Sequence, residues 1–367
     1  MSEIARQTER LPGAGRARVF SGVKPTGHLT LGNYLGAMRR WAVTDQHRSE
    51  ALFCVVDLHA LTVEHDPARV RRLSRQAATL LLAVGLDPAL CTVFVQSHVD
   101  EHARLAYLME CTAGVGEMRR MVQYKEERER EKGKGARGEE EWGGGRLSLL
   151  TYPALMAADI LAYGTHEVPV GEDQAQHLEL TRNLAERFNR RYGRVFVVPR
   201  ATHPPVAARV MDLQEPTSKM GKSRQVGTAG IVYLLDEPET VRRKVLRAVT
   251  DGADGVVYDR GERPGVANLL EVLAACTGVA DPAELAGSYG SYGALKKDAA
   301  EAVVELLRPV RERHAELAAD PGYVAAVLRE GAERARGMAR PRVDAAYGAV
   351  GLMAAEGEER GEGEARW

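Results

Sequence analysis

From residue 17 to about residue 200, short apolar runs alternate with stretches of helical spacing. The run ARVFSGV at 17–23 has the pattern of a buried strand, and the turn-rich KPTGHLTLGN leads into a helix at about 33–44. A second run, ALFCVVD at 51–57, ends on Asp57. Pro67 then opens a helix whose apolar residues Val70, Leu73, Ala77, Leu80, Leu81 and Val84 recur at helical spacing. CTVFVQS at 91–97 predicts the next strand, and a helix follows around 100–111. Further on, the pattern predicts a helix over about 152–163, a short strand at 167–170, a helix over about 173–190 and the strand VFVVP at 195–199. Strand and helix in regular alternation predict a parallel α/β sheet.

Two stretches depart from this pattern. Residues 125–141 hold thirteen charged residues in seventeen, followed by Gly143-Gly144-Gly145, and such a segment cannot bury apolar area. It is expected to be a surface loop. After about residue 225 no strand pattern recurs. The chain to about 355 is rich in Ala and Leu at helical spacing, with breaks expected at Pro264-Gly265, Pro282, Pro321-Gly322 and Pro341, so a separate helical domain is predicted. The tail from Glu356 is acidic and of low complexity, and disorder is expected there.

A chain of 367 residues is long enough for two or three domains. Fifty Lys and Arg against 51 Asp and Glu give a formal charge of −1, which argues against a protein that coats nucleic acid through bulk charge. The tail contributes five glutamates and two arginines, so without it the charge is +2, and a local basic surface remains available. Cys54, Cys91, Cys111 and Cys276 lie far apart in apolar surroundings, the usage expected of buried thiols in a reducing cytoplasm. The first residues lack the apolar segment of a signal peptide, and no apolar run is long enough to span a membrane.

Two pattern matches carry no chemistry. Gly133 to Gly138 spells a dinucleotide fingerprint but lies inside the charge run, and Gly221-Lys222-Ser223 lacks the upstream glycine of a P-loop, where Pro216 stands. The segment 24–33 says more. Pro25 sets a turn, Gly27 and Gly32 allow close backbone approach, and Thr30 and Asn33 bring small polar groups to a helix start at the carboxyl end of the first strand, where anionic ligands bind in α/β sheets. Lys219 and Lys222 stand three apart in a Gly-containing loop, where they can close over a polyphosphate. Between them, Gly171-Glu172-Asp173-Gln174 puts acidic groups where a strand passes into a helix, a place from which a carboxylate can bind ribose hydroxyls.

Taken in order, Pro25-Thr26-Gly27 with Thr30-Leu31-Gly32-Asn33-Tyr34, Thr151-Tyr152-Pro153 with Met156 to Leu161, Gly171-Glu172-Asp173-Gln174 leading to His177, and Lys219-Met220-Gly221-Lys222-Ser223 resemble a bacterial-type tryptophanyl-tRNA synthetase, a class I aminoacyl-tRNA synthetase. The resemblance covers roughly residues 18–353. It implies a Rossmann-type parallel-sheet catalytic domain over 18–225 with an inserted dimerisation segment and the charged loop 125–145, then an all-helical anticodon-binding domain over 226–355, flanked by an extension at 1–17 and the tail at 356–367.

The family's function would be to join L-tryptophan to ATP as tryptophanyl-adenylate, with Mg²⁺ on the phosphates, and to pass tryptophan to the 3′ end of tRNA(Trp). The enzyme would be a cytoplasmic homodimer. By resemblance, ATP lies against Lys24, Pro25, Thr26, Gly32, Asn33, Gly171, Glu172, Asp173, Val210 and the loop Lys219, Met220, Gly221, Lys222, Ser223. The catalytic group is Thr30, Asn33, Lys219 and Lys222. Asp159 would accept from the indole N–H, Met156 would pack on the ring, Tyr152 and Gln174 would hold the α-amino group, and His59 matches a position near the substrate. No protein-held metal is expected. His28 lies two residues before the Thr30-Leu31-Gly32-Asn33 tetrad and is read as a rim or surface side chain.

Three features depart from the family pattern. Gly221 replaces a serine in the lysine loop, the stretch 125–145 is longer than usual, with Arg146-Leu147-Ser148-Leu149 an unusual lead into Leu150-Thr151-Tyr152, and the tail has no counterpart. An auxiliary copy of such an enzyme is compatible with them. The competing readings are a tyrosyl-tRNA synthetase, against which the Met156 to Asp159 helix and the Gly171 to Gln174 run argue, and a synthetase-like regulator that binds tryptophan or tRNA without charging. Candidate tRNA contacts are Arg242, Arg243, Lys244 and Arg247, and Arg334, Arg336, Arg340 and Arg342.

Overall fold

The first apolar run becomes strand β1 (Arg18–Val23), at the centre of a sheet in which every pairing is parallel. β2 (Glu50–Val55) and β3 (Thr92–Val95) lie on one side of it, and β4 (Glu167–Pro169) and β5 (Arg200–Thr202) on the other, giving the order β3-β2-β1-β4-β5. The computed structural model describes residues 16–122, 124–125, 146–169, 171, 174–202, 209–221 and 227–353. The charged stretch 126–145, the extension at 1–15 and the tail from 354 fall outside them.

The strands read as continuous apolar runs because both faces of the sheet are covered. Phe53, Val55, Val93 and Val95 enter one core, and Leu52, Cys54 and Phe94 enter the other. On the first face pack α1 (31–48), which includes two wide turns at Tyr34–Met38 and Trp41–Asp45, and α2 (Pro67–Ala83). The second face carries α3 (Glu101–Thr112), the short α4 (Val115–Arg119), α5 (Leu147–Leu161) and α6 (Ala175–Tyr192). The remaining helices are α7 (Pro238–Leu246), α8 (Pro264–Thr277), α9 (Pro282–Ala286), α10 (Tyr292–Ala319) and α11 (Pro321–Ala349).

Several expectations need correction. Residues 195–199 form no strand: Phe196 is buried, but the Asn189 side chain accepts from the N–H groups of Val195 and Phe196 and donates to Phe196 O, taking the bonds a ladder would need. The ladder partner of β4 is the next segment, β5. Pro341 does not break a helix but lies inside α11, held there by Ala339 and Val343 buried on either side of it. The helix expected at 152–163 begins earlier, at Leu147, so Pro153 also lies within a helix. Of the four cysteines, Cys54 and Cys91 are buried, but Cys111 is exposed on α3 and Cys276 is half-buried.

The last two helices return to the sheet. Leu295, Ala299, Val303 and Leu307 of α10 join the core beneath α2, and Ala332, Ala335, Ala339, Val343 and Ala346 of α11 join the core of Phe20, Phe94 and Tyr163. α11 lies so close to edge strand β3 that a Cβ on Gly331 would stand 1.9 Å from Val93 O. That contact covers an edge that would otherwise be open to pairing with another chain. One turn and a half further on, Gly337 is exposed and a Cβ there would meet nothing within 4 Å. Gly331→Ala is therefore expected to cost about 1–3 kcal/mol through overpacking, whereas Gly337→Ala is expected to add about 0.5–1 kcal/mol from helix propensity. Thermal unfolding of the two variants checks the opposite signs.

Candidate active site

The chain passes from β1 to β2 and β3 on one side and returns as β4 and β5 on the other, so the topological switch lies between β1 and β4. Ligands bind α/β sheets at the carboxyl ends of strands at such a point. Here Gly22 is the exposed residue of an otherwise covered central strand.

Tyr152, Met156 and Asp159 fall at i, i+4 and i+7 of α5, on one helix face over this opening. Met156 packs against the second core and is half-buried. Tyr152 Oη lies 2.6 Å from His177 Nε2 of α6, and the His59 ring meets Tyr152 edge-on at 6.3 Å. Asp159 is 1% exposed, yet its carboxylate is well supplied with donors. His59 Nε2–H donates to Oδ2 at 2.8 Å, and Gln96 Nε2 and His102 Nδ1 donate to Oδ1 at 2.7 and 2.6 Å. Desolvation is the largest influence and raises its pKa, but the hydrogen bonds and charges of His102 and His59 together outweigh it and hold the group at about 2. The carboxylate is thus ionised and accepts only. Behind it, Tyr163 Oη is 2.7 Å from His102 Nε2.

The other side of the opening is built from the first signature. Thr30 caps α1 reciprocally with Asn33: Thr30 N–H donates to Asn33 Oδ1 at 3.0 Å, and Asn33 N–H to Thr30 Oγ1 at 3.3 Å. Leu31 N–H is given to Val232 O at 2.8 Å. Three amides at this helix start, those of Thr30, Leu31 and Asn33, are therefore already used, which narrows the anion site expected from free N–H groups. Pro25 is buried and Thr26 exposed. Lys24 Nζ donates to Thr62 Oγ1 at 3.2 Å, and burial lowers its pKa. Thr62 in turn donates to His59 O, so Lys24 and the Asp159 cluster are linked.

The two signatures meet in space. A Cβ on Gly32 would stand 3.4 Å from Met220 O, so the lysine loop lies directly on the first turn of α1. Met220 is buried and donates its N–H to Val210 O, while Lys219 is exposed and pairs with Met211 across a short bridge. Gly171 is exposed and Gln174 caps α6. Glu172, Asp173, Lys222 and Ser223 lie outside the described residues.

Sequence reasoning missed Gln96, His102, Tyr163 and Asn268. Gln96 and His102 follow the end of β3 much as Asp57 and His59 follow β2, a signal available in the sequence. Asn268 carries none. From α8 it accepts from Met211 N–H at 2.9 Å and donates to Met211 O at 3.1 Å, clamping the base of the lysine loop. His28 is half-buried, 2.6 Å from Gln76 Oε1 and edge-on to Tyr233. Two candidate tRNA contacts are withdrawn: Lys244 is 6% exposed and bonded to Asp236 at 2.6 Å, and the Arg342 guanidinium is packed against Gly164. Arg243, Arg247, Arg334, Arg336 and Arg340 are exposed.

Comparison with known proteins identifies the family of the chain. The family model for class I tRNA synthetases (W and Y) matches residues 13–308. The chain is 76% identical over 336 residues to tryptophan–tRNA ligase 1 of Streptomyces coelicolor, covering 92% of this chain and 97% of that one. It superposes on the crystal structure of tryptophanyl-tRNA synthetase from Mycoplasma pneumoniae with TM-score 0.82 at 34% identity, covering 92% and 99% of the two chains. With the Campylobacter jejuni enzyme, solved in complex with ADP and tryptophan, the TM-score is 0.76 at 28% identity, covering 91% and 100%.

The Asp159 cluster has a consequence for stability. A carboxyl held at about 2 when folded, against an ordinary 3.8, contributes stability that is present above about pH 4 and lost as the pH falls towards 2. Asp159→Asn is expected to remove about 2 kcal/mol of that acid-limb dependence, seen as a shallower loss of unfolding free energy between pH 4 and 2.

Proposed function

Because the chain belongs to the class I tryptophanyl-tRNA synthetases, we propose that its switch-point cleft joins L-tryptophan to ATP and then to tRNA(Trp), with the residues named above as its working parts. The reading rests above all on Asp159, a buried, ionised carboxylate on the same helix face as Tyr152 and Met156. Such a group is matched by one ring N–H. Phenylalanine would leave the remaining lone pair on Oδ2 without a donor, an unmet acceptor in a buried site that discriminates against rings lacking an N–H.

The substrate carboxylate is ionised at neutral pH, so its attack on the α-phosphorus of ATP needs no general base. An O–P bond forms, the bond from the α-phosphorus to the bridging oxygen breaks, and pyrophosphate leaves. What the protein supplies is alignment and stabilisation of the charge that builds on the leaving group. In our reading Lys219 and Lys222 provide this from a loop seated on Gly32, while Thr30 and Asn33 shape the helix start beneath it and Val210, Met220 and Gly221 line the adenosine side. Lys24, Pro25, Thr26, Gly171, Glu172, Asp173 and Ser223 complete the nucleotide site. Mg²⁺ arrives with the ATP phosphates as part of the substrate. In the tryptophan site, Met156 packs on the indole, Tyr152 and Gln174 hold the α-amino group, and His59 keeps Asp159 Oδ2 in place. The second step passes the tryptophanyl group to the 2′-hydroxyl of the terminal adenosine.

We further assign residues 18–225 to catalysis and 226–355 to anticodon binding, with Arg243, Arg247, Arg334 and Arg340 as candidate RNA contacts. A homodimer is supported by exposed apolar side chains around α3 to α5: Tyr107, Val115, Val122 and Leu147 are 65, 59, 51 and 74% exposed. A cytoplasmic location follows from the family's role in charging tRNA. No helix among the described residues is long and apolar enough to cross a membrane.

Amino-acid-dependent ATP–pyrophosphate exchange and charging of tRNA(Trp) test the reading. Exchange with tryptophan and not tyrosine is expected, and exchange without charging would instead mark a non-charging relative. Lys222→Ala is expected to lower tryptophan-dependent exchange by two or more orders of magnitude while tryptophan binding is largely kept, since one preorganised donor is worth about 3–4 kcal/mol. A near-normal rate would remove Lys222 from the mechanism.

A further inference from the structure

A carboxylate offers four lone-pair positions, and three of those on Asp159 are filled. Oδ1 accepts from Gln96 and His102 and Oδ2 from His59, so one position on Oδ2 remains. An acceptor-only partner obliges His102 Nδ1 to carry its hydrogen. The ring's other nitrogen, Nε2, is buried with it and needs a hydrogen-bond partner of its own. Tyr163 Oη stands 2.7 Å away in the same enclosed space. Burial pushes the Tyr163 phenol well above its usual range, so it keeps its hydrogen and donates. The ring is immobile too, stacked on Phe20 at 5.7 Å with 12° between planes and edge-on to Phe94 at 5.8 Å.

We propose that Tyr163 and His102 are specificity-positioning residues: the chain Tyr163 Oη–H to His102 Nε2, and His102 Nδ1–H to Asp159 Oδ1, holds the carboxylate with its one remaining lone pair directed at the indole N–H. The inference rests on the reading of Asp159 as acceptor of that N–H. A carboxylate anchored from behind cannot swing to follow a donor placed elsewhere, so the relay sets how strictly the site demands a ring N–H. Without the phenol hydroxyl, His102 keeps Nδ1–H on the carboxylate but its Nε2 is buried without a partner, so the ring and the Oδ1 it holds lose their anchor from behind. A merely structural role for Tyr163 would weaken all amino-acid substrates alike.

The test is the ratio of kcat/KM for tryptophan to that for the analogue with benzothiophene in place of indole, measured by ATP–pyrophosphate exchange in the wild type and in Tyr163→Phe. The phenylalanine ring keeps the stack on Phe20, and the KM for ATP and the unfolding temperature serve as controls. The wild type is expected to prefer tryptophan by at least 100-fold. In Tyr163→Phe that preference is expected to fall tenfold or more, with kcat/KM for tryptophan down about tenfold and the KM for ATP unchanged. An unchanged preference in the variant would overturn the relay while leaving the Asp159 reading intact. Absence of a preference in the wild type would overturn the Asp159 reading and the relay with it. If Tyr163→Phe does not fold, His102→Gln, which breaks the relay at its middle, carries the same ratio with the same two outcomes.

Discussion

An ionised carboxylate buried at 1% exposure is the constraint around which this molecule is arranged. Such a charge persists only when donors from the surrounding structure replace its water. No single element supplies them: His59 follows β2, Gln96 follows β3, and His102 lies in the first turn of α3, while Asp159 itself projects from α5. The carboxyl ends of two strands and two helices must therefore meet at one point. Gln96 serves twice, accepting from Leu58 N–H at 3.0 Å while donating to Asp159, and Asp57 accepts from Ser97 N–H at 2.9 Å. These bonds lock the ends of β2 and β3 together and hold the Asp159 side of the cleft in place.

The other side of the cleft is built differently. Its two signatures lie nearly two hundred residues apart in the chain, yet they touch where Met220 O lies on Gly32. The base of the lysine loop is held from the helical half: Asn268 clamps Met211, Val249 N–H donates to Leu213 O, and Gln214 Nε2 donates to Arg247 O. The lysine loop thus has its footing on the helices that follow it, and any shift of those helices reaches the loop through direct bonds. The near-zero overall charge fits the same design, because the exposed arginines sit on the helices and the acidic tail offsets them in the total.

Most of the sheet was legible from the sequence because its strands are buried on both faces and read as unbroken apolar runs. Where a side chain substituted for a backbone ladder the pattern misled. Residues 195–199 look like a strand because Phe196 must be buried, and the Asn189 amide that satisfies their backbone leaves no apolar trace. Pro341 looks like a helix end because local propensity says so, and packing of Ala339 and Val343 overrides it. Lys244 looks like a solvated cation until Asp236, eight residues earlier, is found beside it.

The sequence alone determined the fold class and the family, because periodicity and motif spacing are local properties of the chain. Tertiary structure alone decided which residues share a contact: that Asp159 is held by Gln96 and His102 as well as His59, that Tyr163 stands behind them, and that Asn268 grips the loop. Hydrogen bonds between groups from tens to a hundred residues apart depend on how helices seat on the sheet, and no spacing along the chain encodes that.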